Sequence, residues 1–96
     1  MATEEVPAKL AALAEKMATE YRESEYEIAL ALSNADDPLS TEELAEETGY
    51  TERTIKKRVG TLEEELHGEP LLRRDEEDRP VLHPALATAV REQADE

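Results

Sequence analysis

The stretch YTERTIKKRVG, residues 50–60, carries Arg53, Lys56, Lys57 and Arg58. These are four of only eleven basic residues in a 96-residue chain with 25 acidic ones and a formal net charge of −14. Guanidinium and ammonium groups at this density bind phosphate or carboxylate oxygens through charge-assisted hydrogen bonds. The charge is unevenly placed. Residues 1–49 hold three basic and thirteen acidic side chains, a net −10; residues 61–96 hold four and eleven, a net −7; residues 50–60 hold four and one, a net +3. Only one segment is suited to meet a polyanion.

No other constellation competes with it. His67 and His83 stand sixteen residues apart with no second histidine at ligand spacing, and cysteine is absent. A metal site and a disulfide are therefore not expected. There is no phosphate-binding glycine loop and no Ser/His/Asp set, and the many carboxylates read as surface groups. The expectation is a protein that is not an enzyme and carries no cofactor.

Composition sets the frame. Ninety-six residues make one small domain. Without Trp or Phe and with three Tyr, the core must come from Leu, Ile, Val, Ala and Met. No run approaches the ~20 apolar residues of a membrane span, and the N-terminus lacks a signal-peptide pattern, so a cytoplasmic location without membrane contact is expected. The acidic residues are spread among apolar ones at helical spacing, which argues against a disordered acidic tail. An acidic, lysine-poor surface suits a halophile, because at 1 M salt the Debye length is about 3 Å and surface charges scarcely sense each other.

The elements that must position the basic stretch follow from periodicity and capping. Val6, Leu10, Leu13, Met17 and Tyr21 share one helical face, predicting a helix over residues 3–22, with Pro7 in its first turn. Residues 24–35 predict a second helix, although Tyr26, Ile28, Leu30 and Leu32 alternate as in a strand. LSTEEL is a capping box of Ser40 and Glu43 with Leu39 and Leu44 as hydrophobic staple, opening a helix over 40–48 that Gly49 ends. Thr51 caps the next helix, 51–67, with Tyr50 and Ile55 as a second staple. Its inward face is Ile55, Val59, Leu62 and Leu66. A tight turn between two helices is a helix-turn-helix signature. PLLRR and RPVLH then predict a hairpin over 71–83 around a loop of about four residues, DEED. A final helix, 84–94, carries Leu86, Ala89 and Val90 on one side. The fold class is mainly α with a small β-hairpin: a winged helix-turn-helix with extra N- and C-terminal helices.

LSTEELAEETGYTERTIKKRVGTLEEEL resembles the winged-helix DNA-binding domains of bacterial and archaeal transcription regulators. LEEELHGEPLLRR followed by RPVLHP is similar to the end of the recognition helix and the wing of LysR-type regulators. It departs from that pattern at His67, an added residue before the glycine, and at His83, where the family usually has a hydroxyl residue. The resemblance spans roughly residues 25–90. Together with the acidic composition it points to a haloarchaeal source and to a sequence-specific, DNA-binding transcription regulator.

Geometry leads to the same partner, double-stranded DNA. With Ile55, Val59, Leu62 and Leu66 inward, Glu52, Arg53, Lys56 and Lys57 fall on the outer face of the first turns, where a recognition helix meets base edges. Arg and Lys suit guanine O6/N7 or phosphate, and Glu52 suits cytosine N4. Thr51 and Thr54 join the candidate set, and Arg58 is a flanking phosphate contact. Pairing with Glu63 or Glu64 is a weak competitor, since Arg58 stands one step from ideal i,i+4 spacing. In the wing, Arg73, Arg74 and Arg79 can grip phosphates, while Asp75, Glu76, Glu77 and Asp78 read as a solvated turn. A homodimer through the terminal helices fits two-fold DNA readers. The alternative is a winged helix that contacts transcription-machinery proteins and does not touch DNA.

Overall fold

Helix α1 (Ala8–Glu20) forms because its apolar residues recur at helical spacing, and the face they make is used inside the chain. Ala14 and Met17 are fully buried, with Leu10, Leu13 and Tyr21 packed half-buried beside them. In this computed structural model, residues 8–66 and 71–95 are described. Val6, Pro7, His67, Gly68 and Pro70 lie outside them.

Helix α2 (Glu23–Asn34) resolves the strand-like alternation in favour of helix. Ile28 and Ala29 are fully buried, whereas Tyr26, Leu30 and Leu32 are half-buried. The physical reason is position. α2 packs against all four other helices and against the second strand of the hairpin, so its apolar residues spread around the helix instead of lining one stripe. It stops at Asn34, and Ala35 turns extended three residues before Pro38.

Helices α3 (Thr41–Thr48) and α4 (Glu52–Glu65) are separated by three residues. The capping box forms: the Ser40 hydroxyl accepts from the Glu43 N–H at 3.1 Å, and Glu43 accepts from the Ser40 N–H at 2.9 Å. Gly49 adopts φ +86°, a conformation costly for residues with a Cβ, and its N–H closes on the Ala45 carbonyl at 2.8 Å. Thr51 caps α4 by accepting from the Thr54 N–H at 3.2 Å. Leu39 and Tyr50 pack on Leu44, Ile55, Val59 and Ile28, so both staples enter one apolar cluster.

Strands β1 (Leu72–Arg74) and β2 (Pro80–Leu82) pair antiparallel, with Leu72 opposite Leu82 and Arg74 opposite Pro80. Their connecting loop has five residues, one more than DEED. Arg79 stays out of the strand because both its backbone N–H and its guanidinium turn back to Asp75, each at 2.8 Å. Helix α5 (Pro84–Ala94) is capped by His83, whose Nδ1 accepts from the Ala85 N–H at 3.0 Å. The histidine does here what a hydroxyl residue does at an N-cap. Leu86, Ala89 and Val90 of α5 join Ala14, Met17, Ala29, Leu62, Leu66, Leu72 and Leu82 in a second cluster. The molecule is a winged helix-turn-helix: α2, α3 and α4 form the helical core, the hairpin is the wing, and α1 and α5 pack together behind them.

Candidate nucleic-acid interface

The two clusters set the roll of α4. Ile55 and Leu62 are fully buried, and Val59 and Leu66 nearly so. The opposite side is then fixed by the helical repeat: Arg53, Lys57, Gly60 and Glu64, at steps of four, three and four, run along the outermost line. Thr51, Glu52, Arg53, Lys56 and Lys57 are exposed. Thr54 is half-buried, and Thr51 donates its hydroxyl proton to the Thr54 hydroxyl at 3.1 Å, so both threonines are engaged in the cap. Arg53, Lys56 and Lys57 form no ion pair among the described residues. Glu52 and Lys56 have the ideal in-helix pairing distance of four residues, yet they too stay apart. The cations therefore project into solvent beside the positive end of the α4 dipole.

Arg58 differs. It is half-buried, and its Nε is shielded from solvent without a hydrogen-bond partner among the described residues. It shares a face with Thr61, one turn on, whose hydroxyl donates to a carboxylate oxygen of Glu25 on α2. Glu25 was not distinguished by the sequence, where it is one of three glutamates in RESEYE. It is fully buried, accepts from the Arg22 N–H at 3.1 Å, and has the Arg22 guanidinium 3.6 Å away. A carboxylate expected at the surface instead ties α4 to the start of α2 and fixes where the basic face points.

The wing treats its arginines in another way. Arg73 is exposed and forms no ion pair among the described residues. Arg74 reaches across to α4 and donates to both oxygens of Glu63, at 2.8 and 3.2 Å, and to the Asp78 carbonyl at 3.3 Å. The hydrogen bond to Glu63 is the chief cause that raises the Arg74 pKa further. Arg79 pairs with Asp75 at 2.8 Å and Glu77 at 3.8 Å. The Asp75 carboxylate accepts from the backbone N–H groups of Arg79 and Glu77 as well, and Asp78 turns the loop at φ +64°. The Asp75 pKa is held below the ordinary carboxylate value, first by the Arg79 N–H, with partial desolvation opposing, then by the Arg79 side chain and the Glu77 N–H. The acidic loop is thus organised by the arginines beside it.

A groove on the other side of the helix-turn-helix is a separate feature. This groove, of about 620 Å³ between α2, the α2–α3 loop and α3, is lined by Leu30, Ala31, Pro38 and Leu39 with Asp36, Asp37 and Glu47 among its acids. No α4 residue lines it, and its charge would repel phosphate. Among the described residues, no group of three or more His, Asp or Glu is arranged to hold a metal ion, and no helix is long and apolar enough to cross a membrane.

Fold and site together define a helix-turn-helix domain of the winged type, a class built to place its second helix in a DNA groove. A family model described as an HTH domain matches residues 25–72, half of the chain, and the protein belongs to that family. The match runs from the start of α2 through α3 and α4 into β1. No curated protein and no solved structure matches the chain.

Proposed function

We propose that this protein is a sequence-specific DNA-binding transcription regulator that reads the major groove with the N-terminal half of α4. One observation carries the reading: Arg53, Lys56 and Lys57 stand exposed and without acidic partners among the described residues, on a capped helix of a protein with net charge −14. Arg53 and Lys57, on the outermost line, face base edges and suit guanine O6/N7. Lys56 and Arg58 flank that line on opposite sides and suit phosphates of the two strands. Glu52 can accept from cytosine N4, and Thr51 and Thr54 supply hydroxyls where the helix N-terminus favours a phosphate. In the wing, Arg73 is the available contact; Arg74 and Arg79 can reach DNA only by leaving Glu63 and Asp75.

The acidic surface supports a haloarchaeal setting, and the motif order supports a LysR-like recognition helix and wing. A homodimer completes the proposal, since two-fold readers place two heads about one helical turn apart. Its contact would use the edge of the α1 apolar face, where Leu10 and Leu13 pack against the core yet remain half-exposed, because Met17, Leu86 and Val90 are enclosed within the chain.

The test is capture of genomic fragments by the purified protein in molar potassium chloride, followed by the Lys56→Glu, Lys57→Glu double variant. Reversing two contacts is expected to weaken binding by on the order of a hundredfold or more while the circular dichroism spectrum is retained. Capture of no fragment at any potassium concentration, or equal affinity of the double variant, would favour the protein-contact role. A solution mass equal to one chain under these conditions would remove the dimer.

A further inference from the structure

Among the described residues, neither packing nor backbone conformation calls for glycine at position 60. Glycine is among the poorest residues for a helix interior, because it adds backbone entropy to the unfolded chain and contributes no side-chain packing. Gly49 has a backbone reason for its identity, a positive φ; Gly60 has none. It lies well inside α4, eight residues after Glu52 and five before Glu65. Among the described residues, a Cβ placed there would meet no atom within 4 Å beyond the helix's own nearby backbone, so no neighbouring element among them needs the space. Any demand for the absent side chain comes from outside the molecule.

Its place on the helix identifies what approaches. Gly60 continues the line of Arg53 and Lys57, about 4.5 Å beyond Lys57 along the axis. Glu64, the next residue on that line, returns the surface to negative charge. Gly60 is therefore the last position that a polyanion can approach before repulsion begins. The major groove is about 12 Å wide, and a helix with its side chains is about 10–12 Å across, so little clearance remains. A notch on the outermost line lets the helix seat more deeply.

We propose that Gly60 is a clearance position at which a sugar-phosphate strand or base edge of DNA lies against the bare backbone of α4, setting how far Arg53 and Lys57 penetrate the groove. The proposal rests on the DNA-reading function given above. It assigns a positioning role to a residue without a functional group.

The experiment combines melting and binding for Gly60→Ala and Gly60→Leu, using the genomic fragment that the wild-type protein captures most strongly. Both substitutions are expected to raise Tm, by about 4–6 °C for alanine, because each is a better helix former and the added Cβ meets no neighbouring element among the described residues. Affinity is expected to move the other way. Overfilling a close contact should weaken binding on the order of tenfold for alanine and more for leucine. Higher Tm with unchanged affinity in both variants would overturn the clearance role and leave the DNA-reading function standing. A lower Tm with lost helix would also overturn it, by showing that the fold itself needs glycine. A wild-type protein that captures no fragment would remove both.

Discussion

Helix α4 and the wing both carry basic side chains in an acidic chain, but they use them differently. In the first turns of α4 the cations of Arg53, Lys56 and Lys57 have no acidic partner among the described residues. In the wing, Arg74 and Arg79 are held by Glu63, Asp75, Glu77 and Asp78. The difference separates two functions of one charge type. A cation bonded to a neighbouring carboxylate organises local structure; a solvated one remains available to a ligand. Counting basic residues therefore overstates the wing, and the interface proposed here is centred on one helix.

That comparison predicts that removing a partnered group changes stability, whereas removing an unpartnered one changes binding. The largest stability effect is expected at Glu25. Glu25→Ala leaves the Arg22 N–H without its acceptor and the Thr61 hydroxyl with only the Arg58 carbonyl of its own helix, and should cost about 1–3 kcal/mol, a fall in Tm of roughly 4–8 °C per kcal/mol for a domain of this size. A melt indistinguishable from wild type would show that the buried carboxylate does not hold α4 on α2. Arg74→Ala should cost less, about 0.2–1 kcal/mol, since the pair with Glu63 is partly exposed and salt-screened; chemical denaturation would measure it.

Glu63→Gln probes the reverse direction. It weakens the hold on Arg74 and removes a negative charge beside the groove, so DNA affinity should rise by about two- to threefold, near the value of one weak surface contact. An unchanged or lower affinity in a binding titration would place Arg74 outside the DNA-contacting surface. The smallest effect concerns acid. Because the folded pKa of Asp75 is depressed, its stabilising contribution is present above the ordinary carboxylate value of 3.8 and fades as pH falls through the lower folded value. Amide exchange at Arg79 should accelerate over that range, and Asp75→Asn should remove the dependence.

Much of this architecture was legible locally. Ser40 with Glu43, Gly49 at the helix end and Thr51 at the next start are short-range signals, each satisfied within four residues, and they fixed the helix-turn-helix. The inward set Ile55, Val59, Leu62 and Leu66 followed from the helical repeat, which in turn aimed Arg53 and Lys57 outward. What sequence could not show depends on distance along the chain. Arg74 meets Glu63 eleven residues away, and Thr61 meets Glu25 thirty-six residues away; nothing in either segment marks which of many acids becomes the partner. The strand-like alternation of Tyr26 to Leu32 was ambiguous for a related reason. α2 is contacted on several sides, so no single stripe emerges.

The central claim is that availability, not number, of cations makes the interface. The most direct measurement is the affinity of two double variants for one captured fragment: Arg53→Ala with Lys57→Ala, and Arg74→Ala with Arg79→Ala. Both remove two positive charges, and their net charges are equal. The α4 pair is expected to lose on the order of a hundredfold in affinity, and the wing pair about threefold or less. Equal losses, or a greater loss from the wing pair, would contradict that claim.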